Sequence, residues 1–434
     1  MAENEKTKNK IRFPWRELIA FFITALCMVG LLAAVAKIPR EKLRPQMERS
    51  ADYMCIRALH GHLIRGVKGT LVDRYADSVL LAIAWQYDEE HPFYSSMWSA
   101  YYHQDDQNEN FNFADAVKNN LPANQQYLRY WHGSIAIVRP LMQLFDISGV
   151  YRWNAVWLLI LLGLLLYLLI RRKAYIPLAA LIIGFIMTSS WIVPLSLEYT
   201  WTYVIMLIIS ILVCILTYRE KQAWYGVLFL CSGMITNYLD FLTTETITLT
   251  VPLLLLLWFD HKDSVKKAVS LGITWLTGYV CTWVLKWILA SIAIKENAMP
   301  YVAEHIAERL GGEGYSKHGL KDFLSGVLFR NMKLLFPFEY GAFGLVLGIS
   351  LILLYVYLLF VYRSSRFDKK RVFLFVLIGC VPYIRYLVLS NHAFFHNFFT
   401  YRAQLGTIFA FIMILNEIGS LDAVKRRVFH AGKK

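Results

Sequence analysis

Residues 153–170 read WNAVWLLILLGLLLYLLI, and Arg171-Arg172-Lys173 follow without a break. An apolar run of this length matches the hydrocarbon core of a bilayer, about 30 Å thick, which a helix crosses in roughly 20 residues. The three cations that stop it are the kind of boundary found at cytoplasmic span ends. Working outward in both directions, the pattern recurs. Apolar runs lie at Leu18–Val35, Ala174–Leu197, Thr200–Tyr218, Ala223–Leu239, Leu242–Phe259, Ala268–Ile294, Gly341–Tyr362, Val372–Leu389 and Ala403–Ile418. The expected fold is all-α: a polytopic transmembrane helical bundle of about ten spans, with two long helical extracytoplasmic loops.

Composition excludes a soluble globular domain. The chain is 57% hydrophobic and 18% charged, against about 45–50% and about 25% for soluble domains. Many of its 13 Trp and 26 Tyr sit at run ends, where interfacial rings belong. A net charge of +14 would suit nucleic acid, but the cations gather in short connections between spans, so no nucleic-acid partner is expected. Five of the six cysteines (Cys27, Cys214, Cys231, Cys281 and Cys380) fall inside apolar runs and only Cys55 lies in a long loop, so no disulfide framework is expected. The apolar run after Lys6, Lys8, Lys10, Arg12 and Arg16 is long for a signal peptide. Charged Lys37-Ile38-Pro39-Arg40 follows it in place of a small-residue cleavage site, so it reads as an uncleaved first span.

Orientation follows from the short connections. Arg171–Lys173, Tyr218–Gln222, Asp260–Lys267, Arg363–Arg371 and the tail with Lys425, Arg426, Arg427, Lys433 and Lys434 are all basic, whereas Glu198-Tyr199 and the surroundings of Asp240 carry no Lys or Arg. The positive-inside pattern then puts both termini in the cytoplasm. Arg40, Lys42 and Arg44 lie outside on this assignment, which a long translocated loop tolerates. The expected organisation is a tail at 1–17, a first span at 18–35, an outer helical loop at 36–152, a bundle at 153–294, a second outer loop at 295–340, a bundle at 341–418 and a tail at 419–434. Within the outer loops, Ser78–Tyr87 and Leu320–Leu335 carry helical apolar stripes. The second is basic as well, which predicts a helix lying on a membrane surface. Gly311-Gly312-Glu313-Gly314 reads as a connection and not a phosphate loop, because no strand precedes it. The two halves show no internal repeat of the transporter kind.

Charges near span ends are the most informative feature. Glu198, Asp240, Glu245, Lys286, Arg385 and Arg402 all fall toward the outer side. Ionisable groups inside a bilayer cost roughly 2.5–3.5 kcal/mol on insertion scales, so they are paired or functional. The expectation is a polar cavity open to the outer leaflet and roofed by the two long loops; the bland alternative is separate snorkelling. His392 and His396 are spaced for metal on a helix, but no Glu follows the first, so they read as structural or substrate-contacting. In Val72-Asp73-Arg74-Tyr75-Ala76-Asp77-Ser78 the two aspartates sit four apart. Asp77 reads either as the N-cap of the next helix or as a general base. Tyr130-Trp131-His132-Gly133 and Arg139-Pro140 add polar and aromatic groups that could stack on sugars or anchor helices.

Taken together, this layout resembles the GT-C membrane glycosyltransferases. The resemblance is carried by a short tail, one span, a long helical outer loop with acidic residues, many spans and a second outer loop. The short motifs Tyr75-Ala76-Asp77-Ser78, Tyr130-Trp131-His132-Gly133, Asp240-Phe241-Leu242-Thr243, Lys286-Trp287 and His392 to Arg402 are similar to those of a set of uncharacterised Firmicutes membrane proteins. The resemblance implies a sugar donor linked to polyprenyl phosphate, a cell-envelope polymer as acceptor, and membrane lipids as surroundings in a bacterial plasma membrane. It puts the catalytic carboxylate at Asp77, with Asp73 second. The donor phosphate falls to Lys286, Arg385 and Arg402, with Asp240, Glu245, His392, His396, His132 and Arg139 as further substrate-binding candidates. The chain has no Asp-x-Asp or Glu-x-Asp pair early in the loop, and Asp105-Asp106 lies in a polar stretch, so a divalent metal is left open. The alternatives are a lipid or polysaccharide exporter without catalysis, and a membrane acyltransferase with a histidine base.

Overall fold

A computed structural model describes residues 14–260, 265–310, 319–361, 363 and 367–419. The basic residues before Phe13, the Gly311–Gly314 connection and the basic C-terminal tail lie outside the described residues. The six cysteines are unpaired.

Helix α1 (Trp15–Ala36) leads into the first long segment. That segment holds α2 (Arg40–Cys55), strand β1 (His60–His62), strand β2 (Leu71–Asp73), α3 (Arg74–Gln86), α4 (Pro92–Trp98), α5 (Glu109–Lys118) and α6 (Ile135–Leu141). The bundle continues with α7 (Ile147–Arg171), α8 (Tyr175–Met187), α9 (Leu197–Tyr218), α10 (Tyr225–Leu239), α11 (Ile247–Phe259) and α12 (Val265–Ile294). The second long segment carries α13 (Met299–Leu310) and α14 (Leu320–Met332). The remainder is α15 (Gly341–Val361), α16 (Lys369–Gly379), α17 (Val381–Val388), α18 (Ser390–Phe395), α19 (Asn397–Thr400) and α20 (Leu405–Ile418).

Among the described residues, seven helical stretches are long and apolar enough to cross a membrane: α1, α7, α9, α12, α15, Lys369–Val388 and Asn397–Ile418. The expected spans at 174–197, 223–239 and 242–259 are helices too, but shorter, with identifiable causes. Ser189 takes a left-handed φ of 48° and Pro194 follows, so α8 stops at Met187 and a 3₁₀ turn replaces its last turns. Asp240 ends α10 and closes a turn by accepting from the Thr243 amide (3.1 Å) and hydroxyl, so α11 starts only at Ile247. The chain is a membrane-embedded helical protein whose bundle contains shortened helices.

Packing inside the bundle uses small residues. α10 lies against α12, and a Cβ at Gly233 would stand 2.0 Å from the Trp275 carbonyl oxygen. Without that glycine the two backbones could not meet, a device common where helices associate in lipid. The first long segment is fastened to the bundle by its Tyr130-Trp131-His132-Gly133 stretch. The Trp131 indole donates to the Thr282 carbonyl of α12 (3.0 Å). The Gly133 amide donates to the Tyr238 carbonyl of α10 (2.9 Å), where a Cβ would clash at 2.4 Å.

Two local readings change. The helix expected at Ser78–Tyr87 starts at Arg74, because Asp73 caps it by accepting from the amides of Tyr75 (2.9 Å) and Ala76 (3.3 Å). A two-stranded hairpin precedes it, with His60 opposite Asp73, in a segment expected to be a helical loop. The expected amphipathic helix is α14; Phe323 and Val327 pack on Tyr386, Ala393 and Phe394, while Leu320, Phe329 and Met332 stay exposed.

Candidate functional site

A cavity of about 560 Å³ opens where the first long segment meets the ends of α9 and α10, α13 and the 392–399 stretch. Its acidic lining is Asp73 and Glu198; its basic lining is Arg129 and Arg309; four histidines (His60, His132, His392 and His396) join them. Tyr75, Tyr101, Tyr127, Tyr130, Phe241 and Phe398 supply aromatic faces.

Local structure explains how each group arrives. The β-hairpin sets His60 Nδ1 3.5 Å from Asp73 Oδ1. The hairpin turn is held from the far end of the chain: the Gly69 amide donates to Glu339 (2.7 Å), and the Gly69 carbonyl accepts from Arg402 (2.8 Å) and the Tyr401 hydroxyl (2.9 Å). Capping and His60 occupy Asp73 Oδ1, so Oδ2 is the oxygen left for a ligand. Burial pushes the Asp73 carboxyl above the usual range, opposed by His60 and the two capping amides. Glu198 sits in the first turn of α9, and its Oε2 has no hydrogen-bond partner among the described residues. Arg309 approaches His396 Nε2 at 3.4 Å, and the His392 and His396 rings lie 4.8 Å apart. Burial, then the neighbouring Arg385, hold His392 well below its ordinary pKa, so it meets the world as neutral imidazole.

Against this frame the sequence candidates divide. Asp73, His132, His392 and His396 line the cavity. His132 faces it as a neutral ring, pushed down to about 3 by burial, with Nε2 held by the Tyr127 carbonyl at 3.0 Å. Asp77 does not reach the cavity. It is fully buried and caps α9, accepting from Tyr151 Oη (2.5 Å), Ser196 Oγ (3.1 Å) and the amides of Leu197 (2.9 Å) and Glu198 (3.4 Å). Burial pushes its carboxyl up to about 7, against the Tyr151 and Ser196 hydrogen bonds. The two aspartates thus cap two different helices, and the one nearer the hairpin faces the open space.

The expected phosphate ligands do not line the cavity; they bond to other parts of the protein. Lys286 donates to the carbonyls of Met97 (2.8 Å) and Ser96 (3.4 Å), tying the end of α4 to α12. Arg385 pairs with Glu245 at 2.7 Å and also reaches the Leu242 carbonyl. Arg402 holds the hairpin turn and lies over the Tyr199 ring at 4.6 Å. Arg139 donates to the carbonyls of Ala84 and Ile38, and Asp240 closes its own turn. These groups are neither snorkelling nor gathered around one cavity; they are buried and tie elements together, because a charge excluded from water must find partners.

Sequence reading missed Arg129 and Arg309. Nothing local marks them: each belongs to a different long segment, and only the fold brings them to one place. They also line a second, smaller space of about 190 Å³, whose other walls include Leu242, Trp283, Trp287, Val302, Ile306 and Leu389. Arg129, Tyr130 and Arg309 line both spaces, so a ligand lying across them would have an apolar part on one side and a polar part on the other. Among the described residues, no three of His, Cys, Asp and Glu cluster as metal ligands would. No family model matches the chain, and no curated protein or solved structure matches it either.

Proposed function

We propose that this chain is a membrane glycosyltransferase of GT-C type, with ten helices in its membrane domain and both termini in the cytoplasm. It takes a sugar from a polyprenyl-phosphate donor at the outer face of a bacterial plasma membrane and passes it to a cell-envelope polymer. The observation that carries the reading is the pair of adjoining spaces, one polar with two carboxylates and one apolar, with Arg129 and Arg309 lining both. A lipid-linked sugar has that same order of parts: an apolar chain, an anionic phosphate and a polar ring. Arg meets phosphate with a planar fork of donors. The aromatic lining can take the apolar face of a sugar ring.

In this reading Asp73 is the general base. The acceptor hydroxyl oxygen bonds to the anomeric carbon as that carbon's bond to the phosphate oxygen breaks. The hydroxyl proton passes to Asp73 Oδ2, and polyprenyl phosphate leaves with the electron pair. A carboxyl whose pKa is raised by burial is the stronger base once ionised. Glu198 Oε2, without a hydrogen-bond partner among the described residues, would accept from a sugar hydroxyl.

The test is transfer by the purified chain in proteoliposomes, given polyprenyl-phosphate hexoses and envelope polymer. Asp73→Asn keeps an N-cap oxygen, so it should fold as wild type and lose about 10²–10⁴-fold in rate. Asp77→Asn should retain most of its rate per folded molecule. Transfer by Asp73→Asn near the wild-type rate would remove the proposed base, and failure of the wild-type chain to consume any such donor would remove the transferase reading.

A further inference from the structure

We propose that a second cleft, on the first long segment, binds a neutral glycan chain and presents its end to Asp73 as the acceptor; this rests on the transferase reading above. The cleft measures about 380 Å³, and its lining includes Gln86, Asp88, Tyr94, Trp98, Asn124, Gln125 and Gln126. It is not a separate feature: Gln125 and Gln126 line both this cleft and the 560 Å³ cavity.

Its chemistry is that of a saccharide site. Tyr94 and Trp98 stand one turn apart on α4, and their rings stack with centroids 6.3 Å apart and planes 21° apart. Tyr94 is 44% exposed, so the pair offers an open aromatic face for the C–H side of a sugar ring. Side-chain amides surround it, and amides both donate and accept, as sugar hydroxyls do. Some of these are fixed by the protein: Gln86 donates to the Leu121 carbonyl (2.7 Å), and Asn124 serves His103 with both of its amide atoms (2.8 Å each). Gln126 uses only its oxygen, for the Leu128 amide (3.0 Å), and the Gln125 side chain makes no hydrogen bond among the described residues. Their backbone is nevertheless held, by the bridge of Gln125 to Tyr101. The platform is held too, because Lys286 grips the carbonyls at the end of α4. A cation there is favourable at a helix C-terminus.

Charge narrows the ligand class. Among the described residues, no Lys, Arg or His lines the cleft. Its one charged group is Asp88, already bonded to His91 at 2.8 Å. A polymer of phosphodiesters would bring repeated negative charge to a wall that offers no cation. A neutral glycan needs only the stacking face and the amides.

The experiment uses the full chain in nanodiscs, without donor. It is titrated with neutral hexasaccharides (maltohexaose, cellohexaose and chitohexaose) and with a poly(glycerol phosphate) oligomer, read by saturation-transfer NMR. At least one neutral hexasaccharide should bind and the phosphate polymer should not. Trp98→Ala should weaken that binding about tenfold, and so should Tyr94→Ala, whose exposed side chain can be removed without disturbing the core. In the transfer assay both variants should raise the acceptor KM by a similar factor. Equal or tighter binding of the phosphate polymer, no binding of any neutral hexasaccharide, or an unchanged acceptor KM in both variants would overturn the cleft. Trp98-dependent binding by a chain that consumes no donor would instead leave a glycan site and remove the transferase reading.

Discussion

Two groups of cations stand near the same end of this bundle. Lys286, Arg385 and Arg402 belong to the helical bundle and its connections; Arg129 and Arg309 belong to the long segments. The first three end on carbonyls or on Glu245. The second two line the polar cavity and the apolar space beside it. The difference follows from where each chain segment can meet water. A charge within a packed apolar bundle must be satisfied by protein, and once satisfied it is a fastening. A charge on a long segment can stand at the wall of a cavity, where a ligand can reach it.

The sharpest break of that comparison is at Arg385. Arg385→Met leaves Glu245 buried without its partner, which should cost about 3–5 kcal/mol. Joint replacement of Arg385 and Glu245 by Met should recover much of it. Thermal unfolding in detergent measures both. An Arg385→Met chain of wild-type stability that has lost donor turnover would move Arg385 into the site and erase the distinction.

Arg309→Gln sharpens the other half. A hydrogen bond to a charged group is worth about 1.5–3 kcal/mol, so the donor KM should rise about 10- to 150-fold with little change in unfolding temperature. Lys286→Met should do the reverse, lowering stability and leaving the donor KM alone. A donor KM insensitive to Arg309 would show that the phosphate lies elsewhere.

The smallest expected effect is a shift of pH profile. Burial raises the Asp73 carboxyl and His60 pulls it down. His60→Gln removes the downward pull, so the carboxyl should give up its proton at higher pH. The acid limb of kcat/KM for transfer should therefore move to higher pH, with the plateau rate nearly kept. A limb that stays in place, or moves to lower pH, would mean that Asp73 is not the group whose ionisation it reports.

Much of the scaffold was legible because the bilayer imposes a long apolar run on every crossing helix. Trp153–Ile170 announces α7 without any knowledge of its neighbours, and the stripe of Val79, Leu80 and Ile83 announces α3. The site was legible only in fragments. Val72-Asp73-Arg74-Tyr75-Ala76-Asp77 contains two caps, one of which is also the cavity carboxylate, but the pattern alone offered Asp77, and not Asp73, as the cap of the following helix. The hairpin that sets His60 against Asp73 is held by Glu339, Tyr401 and Arg402, contacts that no local pattern encodes.

The sequence by itself determined that this chain is helical and that several of its helices are apolar enough for it to be membrane-embedded. Those properties are sums over neighbouring residues, and hydrophobic periodicity records them directly. The tertiary structure decided which charges are fastenings and which face open space. That depends on partners distant in sequence: Asp77 meets the start of α9, Lys286 meets the end of α4, and Arg129 and Arg309 border the same two spaces. A carboxylate or a guanidinium carries the same letter in either role, and only its surroundings, assembled from distant parts of the chain, fix what it can do.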